Sequence, residues 1–443
     1  MRQRHILSIL IATLVTLPGL GARLAGIHMD APLAAALSGS AIIGASFLLL
    51  WACDAAQTEI SQALALAAVA LIAVLPEYSI DMYFTWQAGK YPASDYAHYA
   101  IANMTGANRL LIGVAWGAIV ALYWFRFHRS VRMEKERRTE LVFLGLATVY
   151  ALLIPIKGTL AWYDGLVFLG LYVTYIVIAS RRCCGDCEVE GPAELLVRLP
   201  KAKRRLSILG LFLFAAFAIL ANSAPFCEGL IGTGRVLGIN EFLLVQWLAP
   251  IASEAPEFVV ALMFTWRGEA GLALGSLLSA KLNQWTLLVG MIPGVFALSH
   301  GTLAHPIPMG AFQMHEILLT AAQSLLGVVL LAGLHLSIGG ALLLFGLFFG
   351  QFVLPVVVEA APGIVFGLKP DQIHPVFSIL YLAAAAAILL QRPARIVRLF
   401  RPRKPFAPPL EVPSNVEGFR TPHCRTCKWR MAAQSQHLVS SKN

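Results

Sequence analysis

The sequence predicts an all-α polytopic membrane protein of about twelve transmembrane helices, and three observations carry that prediction. The chain of 443 residues is 58% hydrophobic and only 13% charged, with a mean hydropathy of +0.70, whereas a soluble domain carries about 25% charged residues. Its apolar residues gather into runs near the ~20 residues that a spanning helix requires. Its basic residues, which set a net charge of +10, fall in short stretches between those runs. That placement orients a membrane protein and does not form a nucleic-acid surface.

Twelve apolar segments lie near 6–26, 33–53, 60–86, 98–124, 141–157, 160–180, 206–222, 240–266, 272–298, 312–333, 335–357 and 373–391. The first follows Arg2 and Arg4 and runs on through Leu20 and Leu24, so it reads as a spanning helix in preference to a cleaved signal. Cytoplasmic loops carry the excess of Lys and Arg. The loop 125–140 holds six, the loop 181–205 seven and the stretch 392–404 six. With twelve spans, these runs and the N-terminus share one side, and the opposite loops hold only Lys90, Lys157, Arg235 and Lys369. Both termini are therefore expected in the cytoplasm, with the body in an inner or plasma membrane. The tail from 405 onward is Pro-rich and then polar, which reads as a solvated extension.

An internal repeat organises the body. Residues 75–86, LPEYSIDMYFTW, match 255–266, APEFVVALMFTW, at an offset of 180. The identities are Pro76/Pro256, Glu77/Glu257, Phe84/Phe264, Thr85/Thr265 and Trp86/Trp266. Shared Pro, Glu and Trp are far more specific than the Leu and Ala matches that apolar helices make by chance. Residues 100–111 then match 273–284 at an offset of 173, the difference fitting a longer loop at Tyr91–Tyr96. By the charge count the segment 60–86 runs outward and 240–266 inward, so the repeats are inverted. That is the architecture of secondary transporters, with the site at the midplane between repeats. The predicted divisions are an extra N-terminal helix at 1–31, a first half at 32–180, a basic cytoplasmic loop at 181–205, a second half at 206–357, an extra helix at 358–391 and a basic tail at 392–443. The fold is thus two inverted repeats of five helices plus one helix at each end.

At these residues the chain resembles the membrane region of the sodium/calcium exchangers, the unit shared by the cation/calcium antiporter superfamily. That family carries Gly-Thr-Ser-x-Pro-Glu on one helix of each repeat and Gly-Asn-x-x-Gly-Ser-Asn on the next. Here the first stretch reads Ile72 to Glu77 and Ala252 to Glu257, and the second reads Ala102 to Asn108 and Gly275 to Lys281. The resemblance implies that Glu77 and Glu257 are cation ligands. Of the hydroxyls before Pro-Glu, only Ser253 remains, with Glu254 beside it; Ala73 and Val74 carry none. The family's Ser and Asn or Asp on the second helix fall at Ala107 and Leu111, and at Ala280 and Gln284. Calcium takes six to eight oxygens, and few stand at these positions.

Ionisable groups within a membrane are functional-site candidates in their own right. The repeat helices carry Glu77, Asp81, Glu254, Glu257, Arg109 and Lys281. Pro76 and Pro256 each precede a glutamate; a helix break there would free carbonyls beside a charge. Glu254 and Glu257 share a helix face, as do Glu77 and Asp81. Lys281 is expected to pair with Glu254 or Glu257 until an ion or proton displaces it, a fixed cation beside a carboxylate being a competitor for metal. Asn103, Asn108, Ser276, Asn283 and Gln284 are further polar groups, read either as ligands or as interhelical hydrogen bonds. Trp86 and Trp266 are expected at the interface.

Cys184 and Cys187 form one CxxC, and Cys424 and Cys427 another. Two such pairs can supply four thiolates to one zinc, or act as a redox switch, or serve neither role. No nucleotide-binding loop or nucleophile–base set points to an enzyme, and no catalytic cofactor is expected. The partners are membrane lipid and small inorganic cations. The function expected is a secondary antiporter exchanging Ca²⁺ or another cation for Na⁺ or H⁺. A sodium/proton exchanger on the same fold and a non-transporting ion sensor are the alternatives.

Overall fold

The computed structural model describes residues 2–59, 74–180, 189, 191–302, 305–360, 369–391, 393 and 399. Within these residues the chain is almost wholly helical, and eleven helical stretches are long and apolar enough to cross a membrane. Helices satisfy every backbone group inside their own segment, so an apolar chain of this composition has no other open-ended way through lipid.

Helix α1 (Arg2–Leu24) and helix α2 (Ala31–Ala56) pack closely. A side chain at Gly44 would overlap the carbonyl oxygen of Ala12, at 2.6 Å. Helix α3 (Leu75–Lys90) follows, and the larger part of the expected segment 60–86 lies outside the described residues. Helix α4 (Tyr96–Leu110) continues through a wide π-turn, Leu111–Ala115, into α5 (Trp116–Phe127), making one membrane span of 32 residues. A two-residue strand, β1 (Val131–Arg132), precedes α6 (Arg138–Ala151), the short α7 (Leu153–Lys157) and α8 (Trp162–Ser180). After a short α9 (Ala193–Val197), α10 (Lys201–Leu237) runs for 37 residues, about 55 Å at 1.5 Å per residue. The sequence reading placed only 206–222 here; the basic start and the stretch beyond Asn222 extend the helix past both ends of the expected span. Gly238, at a φ of 66°, stops it.

The Asn240 side chain then accepts from the Phe242 N–H and opens α11 (Glu241–Trp266). Helix α12 (Ala270–Asn283), a second π-turn at Gln284–Leu288 and α13 (Val289–His300) form the partner span. Helix α14 (Ala311–Leu331), strand β2 (His335–Leu336), α15 (Ile338–Ala360) and α16 (Pro370–Gln391) complete the described chain. The two π-turns begin at 111 and 284, the same 173-residue offset that relates the second repeat blocks. A wider turn inserts a residue into the ladder and recurs at functional sites.

Side-chain contacts establish the inversion. Asp81 meets Asn103 while Phe84 meets Tyr99, so α3 and α4 run oppositely. Tyr99 donates to Glu241 and Gly106 abuts Gln246, so α4 and α11 run together. Helix α3 is therefore antiparallel to α11, its counterpart in the second repeat. The loops sort accordingly. Strand β1 pairs antiparallel with β2, Arg138 Nε donates to the Leu399 carbonyl at 2.8 Å, and Arg204 and Arg205 pair with Glu59, all at one end of the bundle. Leu160 bridges Ile307 at the other end, where Tyr99 and Glu241 also lie. Among the described residues, the basic stretches at 126–138 and 201–205 thus lie at one end of the bundle.

Two sequence expectations are corrected. Pro256 does not break its helix: α11 continues unbroken from Glu241 through Pro250 and Pro256, because losing single ladder bonds is tolerated where neighbouring helices pack against the site. Pro76 does mark a helix start, at the first turn of α3 where its missing N–H costs nothing. Four of the seven extra residues are helix as well. Helix α3 runs past Trp86 to Lys90, whereas α11 stops at Trp266.

Candidate functional site

The inner ends of the two repeats converge in the centre of the bundle. Glu77 sits on the first turn of α3, buried, and its Oε1 has no hydrogen-bond partner. The next residue, Tyr78, donates its hydroxyl to Asn283 Oδ1 at 2.5 Å, which ties the first repeat to the second just before the π-turn. One turn on, Asp81 is fully buried; its Oδ1 accepts from Asn103 Nδ2 at 2.7 Å, and its Oδ2 is unpartnered. Asn103 Oδ1 is unpartnered too.

The second repeat supplies the facing wall. Glu254 is buried and its Oε1 accepts from Gln284 Nε2 at 3.1 Å, leaving Gln284 Oε1 without a donor. Ser253 is buried and directs its hydroxyl to its own helix, at the carbonyls of Ala249 and Pro250. Glu257 is half-buried. Glu77 lies within electrostatic range of Asp81, Glu254 and Glu257, so the four acids form one group. Ser276 lies apart, on the exposed side of α12 with its hydroxyl on the Ala273 carbonyl.

The two basic residues behave differently from the sequence expectation. Lys281 forms no ion pair with Glu254 or Glu257. Its ammonium donates to Asn108 Oδ1 at 2.6 Å and to the Asn108 carbonyl at 3.3 Å, under the Trp285 ring at 4.4 Å. The physical reason is reach: Lys281 lies on α12 against α4, where the nearest acceptors belong to Asn108. Arg109 turns away from the four acids and pairs with Glu316 of α14. Gln246 donates to the same Glu316 oxygen at 2.6 Å and Thr105 at 3.3 Å, His374 Nδ1 of α16 lies 2.7 Å from the other oxygen, and Trp247 faces the guanidinium at 5.4 Å. Glu316 is 0% exposed and Arg109 1%.

Sequence reasoning missed Glu316, His374, Tyr78, Gln246 and Thr105. Glu316 had a usable signal: it is a lone acid in the apolar segment 312–333, and the rule for intramembrane ionisable groups applies to it as it does to the repeat helices. The other four have ordinary hydroxyl, amide or imidazole side chains whose role appears only when the helices are packed.

The chemistry on offer is that of a cation. Glu77 Oε1, Asp81 Oδ2, Asn103 Oδ1 and Gln284 Oε1 are all acceptors, all buried and all without a donor. Buried oxygens are rarely left so unless something else satisfies them. Among the described residues, no group of three or more His, Cys, Asp or Glu stands close enough in this arrangement to hold a metal ion. Cys184, Cys187, Cys424 and Cys427 lie outside the described residues.

Comparison with known proteins agrees with this architecture. The family described as sodium/calcium exchanger protein matches residues 31–181 and 207–357. Each stretch covers five of the apolar segments read from the sequence and leaves α1 and α16 outside. A solved structure described as "Crystal Structure of H+/Ca2+ Exchanger CAX" is 40% identical, with a TM-score of 0.82, covering 90% of this chain and 97% of its own. A sodium-calcium exchanger structure, NCX_Mj soaked with Na⁺ and Sr²⁺, is 17% identical with a TM-score of 0.47, covering 80% of this chain and 99% of its own. No curated protein matches. Inverted repeats, a buried acid group between them and a family match over both halves lead to one conclusion: the chain belongs to the sodium/calcium exchanger family of cation/calcium antiporters, as a polytopic membrane transporter and not an enzyme.

Proposed function

We propose that the chain exchanges Ca²⁺ for H⁺ by alternating access, with Glu77 and Glu257 as the carboxylates that carry the ion and Glu254, Asp81, Asn103 and Gln284 drawing in around them when it binds. The observation that carries this reading is the set of four buried acceptor oxygens without donors, distributed over both repeats. A bound cation satisfies them; protons on the carboxylates are the alternative occupant, turning acceptors into donors. Competition of the two for one group of acids is the coupling that exchange requires. Rocking of one repeat against the other would expose the site first to one side and then to the other. The similarity to an H⁺/Ca²⁺ exchanger favours the proton over Na⁺ as the counter-ion. The basic end of the bundle would face the cytoplasm of a cell membrane, and the same charge rule puts both termini on that side.

The test is uptake of ⁴⁵Ca²⁺ into proteoliposomes under an imposed pH gradient, then under a Na⁺ gradient. Calcium uptake driven by the pH gradient and lost in Glu257→Gln is expected. Proton movement coupled to Na⁺ without calcium flux would replace this reading with a sodium/proton exchanger.

A further inference from the structure

Lys281 and Asn108 stand 173 residues apart and touch each other. That spacing is the repeat offset, so they are counterparts in the two halves. Counterparts related by an inverted repeat meet only on the axis that relates the halves, which is also where such transporters hold their cargo. Asparagine on both sides would present two amide oxygens there. This chain instead presents one asparagine and one ammonium.

The ammonium is held as a bound cation is held. It is fully buried. It has donors and no acceptor, and two oxygens of Asn108, at 2.6 and 3.3 Å, with the Trp285 face at 4.4 Å, surround it. Asn108 is itself oriented for this, its Nδ2 donating to the Met104 carbonyl at 2.8 Å so that Oδ1 points across the axis. Burial works against its charge; Glu254 and Glu77 are the acids within electrostatic reach that favour it, and Arg109, the like charge within reach, is engaged by Glu316. Within a membrane an ammonium in no direct ion pair needs such a setting.

We infer that Lys281 is a tethered, resident cation of the transport site: it takes, beside Asn108, the place of one mobile positive charge. The cycle therefore carries one positive charge fewer than it would with a neutral residue at 281. This inference deepens the exchange reading above and rests on it.

The test uses the full chain with Lys281→Gln, Lys281→Met and Lys281→Arg. Charge moved per Ca²⁺ is read by solid-supported-membrane current against ⁴⁵Ca²⁺ flux, and Ca²⁺ affinity by equilibrium binding to detergent-solubilised protein. Expected are one further positive charge per Ca²⁺ and about tenfold tighter Ca²⁺ binding in both neutral variants, with Lys281→Arg like the wild type. Two neutral variants of different polarity keep the test open if one fails to fold. Equal charge and equal affinity in the wild type and the neutral variants would overturn the inference. A wild type with no flux under either gradient would instead remove the exchange reading, and the binding comparison would still decide the role of Lys281.

Discussion

In the first repeat the second acid, Asp81, stands one turn after the repeat glutamate and bonds Asn103 on the inner helix at 2.7 Å. In the second repeat Glu254 stands three residues before its glutamate and bonds Gln284 on the inner helix at 3.1 Å. Both halves thus build an acid–amide pair, but at different positions of the frame. At an offset of 180 the counterpart of Asp81 is Ala261, and that of Glu254 is Val74. The frame repeats down to its π-turns, while the polar groups mounted on it do not. An inverted frame that was symmetric in its ligands would treat both sides of the membrane alike. Unequal loading lets one half differ from the other in what it holds.

The largest expected effect tests whether the two repeat glutamates remain equivalent in spite of this. Removing one carboxylate charge from a buried cation shell costs about 3 kcal/mol, roughly a hundredfold in affinity. Glu77→Gln and Glu257→Gln should each abolish measurable ⁴⁵Ca²⁺ exchange. Glu257 is the more accessible of the two. If Glu257→Gln kept more than about half of the wild-type rate, the second repeat would not hold cargo through that residue.

Next in size is a contrast between two acids outside the repeat motifs. Glu140 and Glu316 are 176 residues apart, the same spacing as the starts of the two family-matched stretches, 31 and 207. Each accepts from an arginine, and each cluster reaches the same level of an inner helix. The Arg137 of the Glu140 cluster donates to Ser279, while Glu316 accepts from Thr105. Arg137 is 22% exposed, Arg109 1%. Breaking a fully buried pair leaves an uncompensated charge, at a cost of about 3–5 kcal/mol, and a partly exposed pair is worth at most about 1 kcal/mol. Glu316→Gln should therefore lower the melting temperature in detergent well beyond Glu140→Gln. Equal losses would mean that the buried node with Gln246 and His374 has no special structural weight.

How much of this was legible beforehand depends on the kind of information. The frame was readable because Pro, Glu and Trp recur with fixed offsets, and because basic loops report sidedness through composition alone. Eleven of the twelve expected segments appear as long apolar helices among the described residues, and neither they nor the inversion needed anything else. The acid group was readable for the same reason, since Glu77, Asp81, Glu254 and Glu257 are out of place in apolar helices. Partner choice was not. Lys281 reaches Asn108 in preference to a glutamate, and Arg109 reaches Glu316 across to α14, because helix rotation and crossing decide which long side chain meets which acceptor. Neither quantity is written in a one-dimensional pattern. The reach from α16 to Glu316 through His374 was invisible for a further reason: it joins an appended helix to the repeat core.

A smaller effect is expected where the amides act as partners to the acids. Asn103→Ala and Gln284→Ala each remove one hydrogen bond to a carboxylate, about 1.5–3 kcal/mol. Calcium affinity should fall by tenfold or more in either variant, and a much larger fall in one would show which half dominates binding.

The smallest effect concerns the counterpart of Asn103 itself. At an offset of 173 that residue is Ser276, and the frame alone would give it the same duty. It has no acid to serve, because the position facing it in register with Asp81 is the buried Ala261. Its hydroxyl bonds the Ala273 carbonyl of its own turn, and the residue lies on the exposed side of α12. Surface substitutions of this kind stay within about 0.5 kcal/mol, so Ser276→Ala should leave both ⁴⁵Ca²⁺ flux and its pH dependence close to wild type. A loss matching that of Asn103→Ala would mean that α12 rotates Ser276 into the site during the cycle. The asymmetry between the halves would then belong to one conformation, and the other conformation would restore the symmetry that the repeated frame implies.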